Sequence, residues 1–270
     1  MTELGTGSPA GTVVATAAWC PANGISIPYR ARFDECGPDG LVRTSALLRY
    51  AQDIAWIHSE GLGFTREWYA ERNLAWVVRS AELAIFAPLQ LGGTVSLSTA
   101  PTGFRRVWGR RRTEGRLEDG TLMLWGHTDW VMTDTVRGMP GRIPEEFPAA
   151  FSIPPGSFDP IKVTLPVTPP DALVLVTAVR PQDIDPMGHV NNAAYLDYLE
   201  EALLAAGEAG AAAVSALPRR VLLDYVAAAA PGSVLSGAAW QPHDDAGGWA
   251  WRLADEAGRD LARGRVLVGA

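Results

Sequence analysis

The sequence predicts an α+β chain made of two similar units, each an antiparallel sheet wrapped around one central helix. Three observations carry this. A segment near the start recurs at an offset of 148 residues, each copy runs into one amphipathic helix, and each helix is followed by a series of strand-like runs separated by turn signals. The recurrence places Arg32-Phe-Asp-Glu-Cys-Gly-Pro-Asp-Gly40 over Arg180-Pro-Gln-Asp-Ile-Asp-Pro-Met-Gly188. Arg, Pro and Gly coincide, Glu35 faces Asp183, and Ala46 and Tyr50 coincide with Ala194 and Tyr198.

In the first copy Leu47, Leu48, Ala51, Ile54, Ala55 and His58 recur at spacings of three and four, the period of a helix with one buried stripe, and Thr44 or Ser45 can cap it. Tyr195, Leu196, Leu199, Leu203 and Leu204 repeat the pattern in the second copy, with Gly207 as its stop. Strands are expected at 76–86, 94–99, 105–114 and 121–133, then at 219–227, 233–241, 249–254 and 264–268. Glu118-Asp-Gly120 and Asp244-Asp-Ala-Gly-Gly248 read as hairpin turns. The proline-rich stretch between the units has little periodicity. The organisation is therefore a tail over 1–24, a first unit over 25–148, a linker over 149–171 and a second unit over 172–270.

A chain of 270 residues with 47% hydrophobic and 20% charged residues is neither disordered nor fibrous, and can bury its own core. Its formal charge of −7 disfavours wholesale attraction to nucleic acid or anionic lipid. The first residues lack the basic and apolar regions of a secretory signal, and no stretch approaches the ~20 apolar residues of a membrane helix. Cys20 and Cys36 form neither a metal pair nor a disulfide framework, which fits a reducing cytoplasm. No cofactor or metal is expected.

The densest collection of reactive groups is Asp183-Ile-Asp-Pro-Met-Gly-His-Val-Asn-Asn-Ala-Ala-Tyr195, which runs into the second helix. A carboxylate beside free backbone amides at a helix start can activate water or attack a carbonyl while the amides hold the oxyanion. Asp185 is placed for that role, amides near Gly188 to Val190 for the oxyanion, and His189 for orientation or proton delivery. The alternative is that Asp185 is only a helix cap. Against it, the matching position in the first copy is Gly37, so the shared fold does not require the carboxylate.

This segment, followed by Glu200, resembles the signature of hot dog fold thioesterases of the 4-hydroxybenzoyl-CoA type and of the acyl-ACP thioesterases. The first copy resembles the first domain of the acyl-ACP thioesterase family through Tyr50-Ala-Gln-Asp-Ile-Ala-Trp-Ile-His58, Ala75-Trp-Val-Val-Arg79, Ala87-Pro88, Trp130-Val-Met-Thr-Asp-Thr-Val-Arg137 and Ile143-Pro-Glu145. The resemblance implies a tandem double hot dog that hydrolyses an acyl thioester on acyl carrier protein, or on coenzyme A, and releases a free acid for fatty acid or polyketide metabolism. It implies catalytic roles for Asp185 and His189, whereas Met187 and Ala228 stand where the family has Asn and Glu. Met187, Asn191, Asn192, Gln52 and Asp53 are the candidate substrate-binding residues, the last two from the first helix lying across from the second site. Arg105, Arg106, Arg110, Arg111, Arg112 and Arg116 form one basic band that would dock an acidic carrier protein or a phosphopantetheine phosphate. Such a chain is a pseudo-dimer, functional as a monomer or as a homodimer. Two other readings stay open: a dehydratase, cyclase or acyl transferase acting on a carrier-bound polyketide, and a non-catalytic acyl-binding module.

Overall fold

The computed structural model describes residues 19, 21–153, 156, 158–243 and 248–269. Most of the expected tail and most of the turn expected at 244–248 lie outside these residues. The first unit comprises β1 (Ile25–Arg30), α1 (Thr44–Gly61), α2 (Arg66–Glu71), β2 (Leu74–Ile85), β3 (Thr94–Arg105), β4 (Trp108–Leu117), β5 (Leu122–Asp134), the two-residue β6 (Met139–Pro140) and α3 (Glu146–Ala150). The second comprises β7 (Leu173–Ala178), α4 (Ala194–Ala205), α5 (Glu208–Ser215), β8 (Arg219–Tyr225), β9 (Val234–Trp240), β10 (Trp249–Asp255) and β11 (Asp260–Val268).

All strands join one antiparallel sheet in the order β1-β3-β4-β5-β2-β8-β11-β10-β9-β7, with β6 on β5. The order reads the same from both ends, because each unit contributes five equivalent strands and the two meet edge to edge where β2 pairs with β8. An antiparallel seam between equivalent strands makes a pseudo-two-fold axis. The expected side-by-side packing is thus a shared sheet, with helices α1 and α4 next to each other on one face.

The buried stripe of α1 (Ala46, Leu47, Tyr50, Ile54) packs on Val95, Leu97, Met123 and Leu124. That of α4 (Tyr195, Leu196, Leu199, Leu203) packs on Val221, Leu223 and Trp251, and Leu48 and Ala51 of α1 reach into this second cluster. A third cluster closes the far end of the first unit with Phe64, Phe104, Met132, Phe147 and Phe151. At about 25 cal/mol per Å2 of apolar surface removed from water, such clusters dominate the stability of each unit.

Three expectations need correction. Neither Thr44 nor Ser45 caps α1: the cap is Arg43, while the Thr44 hydroxyl accepts from Arg219 at 3.0 Å and the Ser45 hydroxyl from Arg49 at 2.9 Å. The linker region starts with helix α3 rather than loose chain, and is pinned to the first unit by the Ile161 N–H on Asp129 at 2.7 Å and by Arg110 donating to the Asp159 carbonyl at 2.8 Å. Strands β1 and β7 were not expected at all. By contrast Gly207 ends α4 as read, at φ +82°, and Gly120 at φ +85° closes the β4–β5 hairpin.

Candidate active site

The duplicated segment folds the same way twice. In each unit a 3-10 turn (Phe33–Glu35, Pro181–Asp183) precedes a short bridge, Cys36 with Val42 and Ile184 with Val190. In each, the acid closing the turn is clamped: Glu35 accepts from the Arg32 N–H at 2.9 Å and from the Tyr50 hydroxyl, and Asp183 from the Arg180 N–H at 2.9 Å and the Tyr198 hydroxyl at 2.7 Å. Burial alone would raise the Asp183 carboxyl, but the bonds from Arg180 and Tyr198 outweigh it and hold the group below the usual carboxylate range. Asp183 is an anchor, and the duplicate keeps an acid there for the same reason.

Two residues on, the copies diverge. The first has Gly37 and Asp39 where the second has Asp185 and Met187. In the first unit the Asp39 carboxylate accepts the Leu41 N–H at 3.0 Å and the Val42 N–H donates to the Leu89 carbonyl at 3.0 Å, so both amides are spent. In the second, the carboxylate sits on Asp185 and accepts the Met187 N–H at 2.8 Å. The Gly188 N–H is taken by the Asp185 carbonyl at 2.9 Å, whereas the amides of His189 and Val190 find no acceptor among the described residues. Ala229 stands at the position of Leu89, but its carbonyl accepts no N–H among the described residues and its own N–H donates to the Tyr195 hydroxyl at 3.0 Å, so this edge of the loop stays open there. The result is a half-buried carboxylate next to two undirected N–H donors. Gly188 has φ +78° and a Cβ there would meet nothing within 4 Å, so the backbone conformation requires glycine and open space lies beside it.

The helix terminus plays a different part from the one the sequence suggests. Helix α4 starts only at Ala194, and its head is held by Asn191, whose side chain accepts the Ala193 N–H at 2.9 Å. Asp185 is therefore not a helix cap, and Asn191 is a local backbone brace. Val190 is buried in the second core, a cluster that also takes in Val78 and Ala81 of β2 and has Trp130 of β5 packed against it, so first-unit strands contribute to the core on which the loop is anchored. His189 and Met187 are exposed. The Asn192 carbonyl accepts from the Tyr225 hydroxyl at 2.9 Å, and Tyr225 and Tyr195 are supports that sequence reading missed. Their signal was present: a tyrosine in each neighbouring element at a core-facing position.

Gln52 and Asp53 separate. Asp53 turns away, accepting the Tyr29 hydroxyl of β1 at 2.7 Å. Gln52 is half-buried, and the 148-residue offset maps it onto Glu200. Glu200 on α4 interacts with Thr44 at the start of α1, and burial raises its carboxyl. The same offset carries Thr44 onto Asn192.

The basic band does not exist as one surface, because successive strand residues alternate faces. Arg111 points inward, 8% exposed, with its guanidinium donating to His58 Nδ1 at 3.0 Å. Arg110 forms two bonds to Asp129 at 2.6 and 2.8 Å, and Arg112 and Arg116 share Glu114. Arg105 and Arg106 remain exposed. Among the described residues no group of three or more His, Cys, Asp or Glu could hold a metal, and no helix is long and apolar enough to cross a membrane.

Residues 25–151 match the model of the acyl-ACP thioesterase N-terminal domain, and residues 179–230 that of the thioesterase-like superfamily. The first unit carries an acyl-ACP thioesterase N-terminal domain and the second a thioesterase-like domain. A search of curated proteins finds no match. Among solved structures, a putative oleoyl thioesterase from Lactobacillus plantarum is 20% identical, with 94% of this chain and 97% of that one covered at a TM-score of 0.79. An acyl-ACP thioesterase from Bacteroides thetaiotaomicron is 16% identical over 91% and 97%, TM-score 0.76. A 12:0-ACP thioesterase from Umbellularia californica is 20% identical over 93% and 98%, TM-score 0.75. The fold of the chain is the double hot dog, aligned with these structures along nearly its whole length.

Proposed function

We propose that this chain is an acyl-ACP thioesterase that hydrolyses its substrate at the second-unit loop, with Asp185 as the general base and the His189 and Val190 amides as the oxyanion hole. One observation carries the reading: the loop that the first unit closes with Asp39 and the Leu89 carbonyl is open in the second, where two N–H donors stand beside a relocated carboxylate. The Met187 N–H fixes the Asp185 carboxylate, leaving one oxygen for a water molecule. That water gives a proton to Asp185 as its oxygen bonds the thioester carbon. The carbonyl oxygen gains charge beside the two amides, and collapse breaks the C–S bond while the Asp185 carboxyl returns the proton to the departing sulfur. Products are the free acid and the carrier thiol. Gln52, half-buried on α1, is assigned to orient the water, because the two-fold that sets Glu200 beside Thr44 would set Gln52 toward Asn192. This route uses neither a metal nor the family's Asn and Glu, consistent with Met187 and Ala228 at those positions.

The internal pseudo-dimer supports a monomer, with carrier docking falling to Arg105 and Arg106, the members of the band that stay exposed. The test is thiol release and product mass from acyl-ACP and acyl-CoA thioesters, with wild type and Asp185→Asn side by side. The Asn oxygen can still accept the Met187 N–H, so the loop survives, and a loss of at least ~100-fold is expected for removal of a catalytic base. Equal rates from both proteins would overturn the assignment.

A further inference from the structure

The two interiors differ where the fold makes them equivalent. On β10, Trp251 pairs with Gly264 and Ala239, and on β4 the same place is held by Thr113, pairing with Gly126 and Thr99. Two residues earlier stand Trp249 and Arg111. The second unit thus fills its interior with two buried indoles, whereas the first has threonines and a guanidinium. Helix α1 also runs to Gly61, about one turn beyond the equivalent end of α4, and this extension brings in His58.

Arg111 is 92% withdrawn from solvent by the measure that leaves it 8% exposed. Among the described residues its one hydrogen-bond partner is His58 and no carboxylate approaches within 4.0 Å, and its Cζ lies 5.5 Å from the Phe151 ring centroid. Burial pushes the guanidinium down to about 9, with Tyr69 the ionisable group that opposes this, and burial followed by the Arg111 charge pushes His58 down to about 4. A guanidinium offers five donors, so most of these remain for another acceptor. A buried cation with no protein anion is costly unless something pairs with it. Arg111 lies on the inward face of β4 two residues, or about 7 Å, beyond Gly109. Gly109 pairs with Trp130, which packs against the second core, the cluster that also holds Val190 of the catalytic loop.

We propose that Arg111 and His58 form the far end of the acyl pocket and select an acyl chain whose distal end carries a carboxylate, so that the substrate is an ω-carboxyacyl thioester. The inference rests on the hydrolase reading above and extends it to substrate class.

The experiment uses pairs of acyl-ACP substrates of equal chain length, ending in methyl or in carboxylate, with wild type, Arg111→Met and Arg111→Lys. Wild type is expected to favour the carboxylate-ended member by at least ~10-fold in kcat/KM, the scale of one charge-assisted bond. Arg111→Met should lose that preference and gain on methyl-ended chains, with Arg111→Lys in between. A wild type that favours methyl-ended chains, or is indifferent, overturns the proposal while leaving the hydrolase reading intact, and this comparison needs no folded variant. Calorimetric binding of free dicarboxylic and monocarboxylic acids separates the two claims from the other side: selective dicarboxylate binding without hydrolysis of any thioester keeps the pocket and removes the hydrolase. Equal binding of both acids overturns the pocket.

Discussion

Arg49 and Asp197 occupy the same position in the two units and bond to each other, Nη2 to Oδ2 at 2.7 Å. A pseudo-two-fold axis brings equivalent helix positions together, so a true dimer of identical units would set like against like there. Opposite charge at one site is available only to a fused chain. The pair is partly solvated, so it contributes on the order of 0.5–1 kcal/mol. Arg49→Asp should cost about that much or slightly more by opposing two carboxylates, and adding Asp197→Arg should restore most of it. Urea midpoints of the four proteins check this, and additive effects would show that the residues are uncoupled.

Tyr198→Phe should separate anchoring from chemistry. It removes the 2.7 Å bond to buried Asp183 and should destabilise by about 1–3 kcal/mol. Hydrolysis should fall far less than in Asp185→Asn. The comparison is of midpoint and kcat for the two variants, and a larger activity loss for Tyr198→Phe would contradict the division of labour between Asp183 and Asp185.

Equivalent glycines should differ in their tolerance of a methyl group. A Cβ at Gly126 would sit 2.5 Å from the Glu82 carbonyl oxygen, which is backbone and cannot give way. At Gly264 its nearest neighbour would be a Leu199 methyl at 2.7 Å. Gly126→Ala should therefore cost about 3 kcal/mol or more, and Gly264→Ala less, within the range for overpacking. Thermal or urea unfolding of both variants gives the ranking directly.

The buried His58 makes stability depend on pH. Its folded-state value is pushed from 6.5 to about 4, first by burial and then by Arg111. Between these values the unfolded chain binds the extra proton, so this contribution is complete above pH 6.5 and is lost as pH falls toward 4, by up to about 3 kcal/mol. His58→Gln keeps an acceptor for Arg111 and removes the titration. Wild type should lose stability relative to the variant across that window, and parallel pH profiles would refute the claim.

Much of the fold was legible because its signals repeat. The offset that aligned Arg32 with Arg180 and Tyr50 with Tyr198 also located the two helices, and the longer strands followed from period and turn residues. Strands β1 and β7 escaped because six-residue edge strands with half-buried alternation, such as Ile25–Arg30, carry little hydrophobic contrast. At the site, Asp185 stood out from its Gly37 counterpart, but its distance from the helix did not: a second turn, closed by Gly188, intervenes before Asn191. The released amides were invisible, since their availability depends on Leu89 in one unit having no equivalent acceptor in the other. The arginine band was over-read. Period-two alternation already separates Arg111 from Arg110 and Arg112, which is a test the sequence permitted.

The seam between β2 and β8 makes the fusion a one-way step. At its centre Glu82 lies opposite Leu222 and is neutralised by Arg220 of the second unit. If the gene were split and the first half paired with its own copy, that edge would set Glu82 against Glu82 and strip both of their arginine. The two halves have become an obligate heteropair. A shared ancestor able to assemble from one kind of subunit has traded that freedom for two halves whose interiors could diverge.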